Sequence, residues 1–167
     1  MSIIIRILPM DKINEFGGDK IETVQSKFFL NDVPSRVINN DVGIYCFKSK
    51  KIAHNEEQET YILFQYDNHI IACARLDKVI YNESCKEYQG YYVLPPDTIY
   101  TFDKINLNDL NTYVFPQEPI KRFSQACYKK TLPDIDSFLN NTNVVKNVKP
   151  VIQSNITLNR EFQCEPK

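Results

Sequence analysis

Tryptophan is absent from the 167-residue chain, glycine occurs four times, and histidine and methionine occur twice each. So few glycines, beside nine prolines, exclude collagen-like and linker-like chains. The two histidines, His54 and His69, fall in polar loop and turn sequence and leave little room for histidine-based catalysis. The five cysteines (Cys46, Cys73, Cys85, Cys127 and Cys164) form no CxxC pair, and there is no HxxxH, so a structural zinc site is not expected. Their odd number and wide spacing argue against a disulfide framework. Cys46 and Cys73 sit in apolar runs, where a reduced cysteine acts as a small core residue. A reducing, cytoplasmic location is therefore the expectation. The Ile3–Ile5 run is too short for a signal-peptide core and is broken by Arg6. No apolar run approaches the roughly 18–20 residues of a membrane span, so no membrane partner is expected. GxSxG, P-loop and GxGxxG patterns are missing as well. Neither charge sign dominates, since 20 basic against 21 acidic residues leave a formal net charge of −1. Coating nucleic acid through bulk charge is thereby excluded, while a local basic patch is not.

What remains is a chain that is 43% hydrophobic and 12% aromatic, enough for one core. A single domain over residues 1–150 is expected, with 151–167 as a tail or linker. Residues 2–9 are β-branched and end at Pro9, which reads as a strand. Between Asp11 and Gln25, Gly17-Gly18 interrupts any longer helix, leaving one or two short pieces. Lys27–Leu30 is either strand or helix end. Further strands are predicted over Val42–Phe47, Thr60–Tyr66, Ile70–Leu76, Gly90–Leu94 and Thr98–Phe102, with a possible continuation of the third through Val79–Tyr81. Asp67-Asn68-His69 joins two of them as a hairpin. Short helices are predicted at Asn106–Leu110 and Pro133–Leu139, the second with early acidic residues that suit its positive end. The fold class that follows is α+β, a small, curled, mostly antiparallel sheet or barrel with short flanking helices.

No catalytic centre is visible, and neither an enzyme nor a cofactor or metal is expected of this chain alone. Pro96-Asp97 and Pro133-Asp134 lack the acidic-X-Lys partner that a metal-dependent nuclease needs. The aromatic residues are more informative. Ten tyrosines and ten phenylalanines are present, and Tyr45, Tyr61, Tyr66, Tyr88, Tyr91, Tyr92 and Tyr100 fall in strands or beside them. A rim tyrosine can stack on a base and bond its edge, although tyrosine is also a favoured strand residue. Arg36, ahead of the Asn39-Asn40-Asp41 turn, can clamp a phosphate, and asparagine can read a base edge. Lys121-Arg122 with Lys129-Lys130 makes a local basic segment suited to a phosphate backbone.

Three runs, "NNDVGIYCFKSKK…TYILFQYDNHIIACARLDKVI", "YQGYYVLPPDTIYTFDKINLNDLN" and "KRFSQACYKKTLPDIDSFL", resemble the PUA-like superfamily over roughly residues 36–140. More narrowly they are similar to the EVE/ASCH-like domain found ahead of HNH nuclease modules in bacterial modification-dependent restriction enzymes. The resemblance implies a DNA-binding reader that flips a modified base into an aromatic pocket. DNA is the first-ranked partner, and a nuclease module or subunit the second. An RNA-binding PUA-like protein and a protein-interaction domain of a defence or phage system are the alternatives. The chain departs from the pattern in lacking Trp and any HNH residues after Asn140. On this reading the pocket lies between the Val42–Phe47 and Gly90–Leu94 strands. Tyr45, Tyr91 or Tyr92 stacks on the base. Arg36, Asn39, Asn40, Ser124 and Gln125 supply polar contacts, and Lys121 and Arg122 hold phosphates.

Overall fold

The computed structural model describes residues 2–49, 52–53, 57–81, 87–123, 129–158 and 161–162. The β-branched run near the start forms β1 (Ile3–Pro9). Residues 11–19 are turns, held by the Asp11 carboxylate, which accepts from the Ile13 and Asn14 N–H groups at 3.0 and 2.9 Å. A helix then begins as α1 (Ile21–Thr23), widens into a π-helix over Val24–Asp32 and ends as α2 (Val33–Ser35). The Val33 N–H donates to the Phe28 carbonyl, the five-residue spacing of a π-helix. Lys27–Leu30, ambiguous in sequence, lies inside it.

A small hairpin follows, β2 (Val37–Ile38) and β3 (Asp41–Val42). Asn39 and Asn40, both at positive φ, are its two central residues, as a type I′ turn requires. Gly43 separates this hairpin from β4 (Ile44–Phe47), so the single strand expected over Val42–Phe47 is interrupted. Next come β5 (Thr60–Tyr66) and β6 (His69–Leu76), joined by Asp67-Asn68, again both at positive φ. β7 (Lys78–Tyr81) does not continue β6; it turns away at Asp77 into another sheet. The remaining elements are β8 (Gly90–Val93), a 3₁₀ turn at Pro96–Thr98, β9 (Tyr100–Asn106) and α3 (Leu107–Tyr113). They are followed by β10 (Lys129–Leu132), α4 (Ile135–Leu139) and β11 (Lys149–Pro150). Asn106 caps α3 through the Asp109 N–H, and Asp134 caps α4 through the Ser137 N–H, both at 2.7 Å.

The architecture is mixed α+β. The central sheet has six strands in the order β10-β1-β5-β6-β9-β11, antiparallel except for the parallel β1–β5 pair. It does not close into a barrel. Its two ends are β10 and the two-residue β11, which are not paired to each other. A separate three-stranded sheet, β4-β8-β7, lies over one face.

Alternation along the strands sends side chains into two cores. Ile3, Ile5, Ile7, Tyr61 and Leu63 pack on Leu110, Phe115, Phe123, Phe138 and Val144 on one side. Leu8, Ile62, Phe64 and Tyr66 pack on Val24, Phe29, Tyr45, Tyr92 and Leu94 on the other. The segment expected as a tail returns to this second core, where Val151 is buried and Ile156 packs beside it.

One polar contact fixes the π-helix on the sheet. Ile71 is an extra residue in β6, since Phe64 faces Ala72 and Gln65 faces Ile70. The same residue breaks the β6–β9 register. The Gln25 Nε2 group donates to the Ile71 and Phe102 carbonyls at 2.9 and 2.6 Å, satisfying acceptors that the bulge takes out of the ladder. Gly43 fixes the second sheet. Its φ is +92°, its N–H donates to the Arg36 carbonyl, and its carbonyl accepts from the Leu94 N–H. A Cβ there would collide with the Leu94 carbonyl.

In urea melts, Gly43→Ala is expected to cost about 3 kcal/mol or more, because positive φ and the collision act together. Gln25→Ala is expected to cost about 1–3 kcal/mol by leaving two buried carbonyls unpaired.

Candidate functional site

The layer over the second core does not close against the sheet. A cleft of about 1040 Å³ remains between the residue 14–19 turns, the π-helix and β4. That is the size of a small-ligand site. β4 is an edge strand, and residues from both its faces line the cleft: Tyr45 and Phe47 on one, Cys46 on the other. Half-buried Phe16, Phe28, Tyr88 and Phe162 complete an aromatic wall.

Arg36 is the polar centre of this wall. α2 delivers it, and its Nη1 donates to the Ile44 carbonyl on the open edge of β4 at 3.3 Å. Its guanidinium carbon lies 5.3 Å from the Phe28 ring centre and 4.3 Å from that of Phe162, both within cation–π range. Burial lowers the Arg36 pKa, and the charge of Asp32 acts the other way. An arginine so placed stays charged and exchanges water for ring faces.

The charge around the cleft is mixed with an acidic excess. Glu15, Asp19, Asp32, Glu87 and Glu161 line it, against Lys27, Arg36 and Lys48. Lys48 lies 5.9 Å from the Tyr88 ring.

The sequence-derived residues divide between this cleft and other places. Arg36 and Tyr45 line it. Tyr45 is almost fully buried, with its hydroxyl pKa well above the usual value because the site is dry, and next because of Glu15. It meets Phe28 edge-on at 5.7 Å and stacks on Tyr92 at 6.1 Å. Tyr92 itself is completely buried and accepts from the Ile52 N–H, so it belongs to the core. Tyr91 points to the other side of β8, into the small cluster of Ile44 and Val93. Burial, then Asp41, raises the Tyr91 pKa, while a hydrogen bond from the Asn39 side chain lowers it. Asn39 is thus brought to Tyr91, and Asn40 is exposed at the turn tip. The two parent strands of the expected pocket are hydrogen-bonded neighbours, with Tyr45 opposite Tyr92 and Cys46 opposite Tyr91. No pocket fits between them, and the cleft lies along the free edge of β4 instead.

Lys121 and Arg122 are exposed. Arg122 lines a second hollow of about 590 Å³ that shares Pro9 and Glu15 with the cleft, so it is adjacent without being inside. Lys130 is used structurally, donating to the Glu118 carbonyl at 2.6 Å. Ser124 and Gln125 lie outside the described residues.

Cys46 departs from its expected reduced state. It is disulfide-bonded, whereas Cys73 in β6 is free and buried. Among the described residues no group of three His, Cys, Asp or Glu side chains is placed to hold a metal, and no helix is long and apolar enough to cross a membrane. Three comparisons with known proteins found nothing, since no family model, no curated protein and no solved structure matches the chain.

Sequence reasoning missed Phe28 and Phe162. The Phe28-Phe29 pair carried the only available signal, because two adjacent large rings on a helix cannot both face one core. Phe29 does so, and Phe28 turns to the cleft.

Tyr92→Ala is expected to cost about 3–5 kcal/mol in thermal or urea unfolding, as a core ring should. Unfolded without reductant, the chain is expected to show at most three of its five thiols to a thiol reagent. Burial pushes the Cys73 thiol up to about 12, so in the folded chain it is expected to stay unlabelled at neutral pH.

Proposed function

We propose that the chain is a recognition module that holds a flat aromatic group, in the first instance a base flipped out of DNA, on Arg36 in the cleft. The observation that carries the reading is the half-buried Arg36 guanidinium set among rings, with Phe162 already lying on it. A base presents the same π-face as a phenylalanine ring, and stacking of this kind contributes roughly 1–3 kcal/mol per base. Phe28 and Tyr88 supply further ring surface. Arg122, on the neighbouring hollow, and the exposed Lys121 beside it in sequence are the groups assigned to the phosphate backbone. The likeness to PUA-like, EVE/ASCH-like domains, the nuclease partner and the cytoplasmic, non-enzymatic role belong to the same proposal. An open sheet carrying an aromatic cleft is compatible with them.

A second reading, a protein-interaction domain, has two observations in its favour. The acidic excess around the cleft has the wrong sign for a phosphate backbone. Among the described residues no strand pairs with the outer edge of β4, which suits an added peptide strand.

The deciding test is titration of the full chain with duplex and single-stranded DNA at two salt concentrations. The oligonucleotides carry cytosine, 5-methylcytosine, 5-hydroxymethylcytosine or N6-methyladenine, with matched RNA and free nucleosides alongside. Preference for one base that survives the higher salt is expected. Arg36→Ala should weaken it by roughly 5- to 150-fold, the equivalent of 1–3 kcal/mol. Arg122→Ala should lower the salt slope by about one while sparing base preference. Absence of binding to every probe at micromolar protein overturns the reading and leaves the peptide alternative.

A further inference from the structure

Glu161 and Phe162 sit on the Arg36 shelf in the manner of a bound dipeptide. The Phe162 N–H donates to the Val37 carbonyl on β2 at 2.7 Å. The Glu161 carboxylate accepts from the Asn39 N–H at 3.2 Å. The Phe162 ring covers the Arg36 guanidinium at 4.3 Å and leans on the cluster of Ile44, Tyr91 and Val93. These contacts come from a strand, a turn and a side chain that the fold has already fixed by other means.

We infer that Glu161-Phe162 is a built-in competitor of the cleft's ligand, which must detach before a flat group from outside can occupy Arg36. The inference rests on the reading of the cleft as a binding site. Its argument is steric and energetic. The guanidinium carbon lies over both the Phe28 and the Phe162 rings, and closer to the second. A ring from outside needs the position that Phe162 holds, since Phe28 is part of the π-helix and fixed between Phe16 and Phe29. Among the described residues, one backbone hydrogen bond, one exposed carboxylate contact and one half-buried ring attach the competitor, and neither of its two residues belongs to a β-ladder. Segments held in this way open locally, far below the cost of global unfolding. Ligand affinity is then reduced by the fraction of chains whose shelf is free.

The test uses the full chain and the acetylated, amidated tetrapeptide Arg-Glu-Phe-Gln as probe, followed by the amide signals of Val37 and Asn39. Phe162→Ala is expected to bind the tetrapeptide at least about tenfold more tightly than the unchanged chain. Arg36→Ala added to Phe162→Ala should abolish the gain. Equal binding by the unchanged and Phe162→Ala chains, or no binding by either, overturns the inference. Hydrogen exchange of the unchanged chain gives an answer that needs no variant to fold. The Phe162 amide should exchange at least about tenfold faster than the paired amides of β4 and β8. Exchange at their rate makes the segment a fixed part of the fold and also overturns the inference. The nucleosides above separate the two readings. If the tetrapeptide behaves as expected and no nucleoside binds either chain, the competitor stands and the base reading falls. If a nucleoside binds both chains equally, the base reading stands and the competitor falls.

Discussion

Burial of both faces of the central sheet is the constraint from which the rest follows. Every residue of β5 from Thr60 to Tyr66 is buried, so the strand needs cover on each side. α3, α4 and the 115–123 and 144–145 segments supply it on one side. The π-helix with the three-stranded sheet supplies it on the other. The cleft lies where the helix and the edge of β4 fail to meet.

Polar contacts at two points hold this cover to backbone groups. Gln25 ties the π-helix to the bulged part of β6 and β9, and Gly43 ties β4 to Leu94 and Arg36. Both act on backbone acceptors or donors that would otherwise be buried without partners. The π-helical spacing has its own consequence. It turns Phe29 into the core against Phe64 and leaves Phe28 at the cleft, edge-on to Phe16 and Tyr45. Rings then run from the surface to the centre of the protein, Phe16 to Phe28 to Tyr45 to Tyr92, with Arg36 beside the outer half.

Cys73 and Cys46 show how similar sequence surroundings lead to different chemistry. Both lie in apolar strand sequence. Cys73 is in the central strand β6 and wholly enclosed, and its thiol is inert. Cys46 is on an edge strand with one side open, and it is disulfide-bonded on the cleft wall. Strand position in the sheet, which the local sequence does not encode, separates them.

The elements whose signals are local were legible along the chain. β-branched runs marked β1, β5 and β6, the Asp67-Asn68 and Asn39-Asn40 turns were legible from residues that tolerate positive φ, and Asn106 announced α3 by its capping side chain. Arg36 and Tyr45 were legible as candidates for the same reason, since a charged residue before a turn and an aromatic on a strand are local facts. Tertiary structure alone decided which faces of those elements meet. It put Tyr92 in the core, Tyr91 on the opposite side, and β7 in a different sheet from β6. It moved the pocket from between two strands to the edge of one and brought Phe162 across the chain to Arg36. Strand parity and capping depend on neighbours one to four residues away, whereas pairing and clefts depend on residues a hundred apart, whose meeting is set by the burial of the whole sheet.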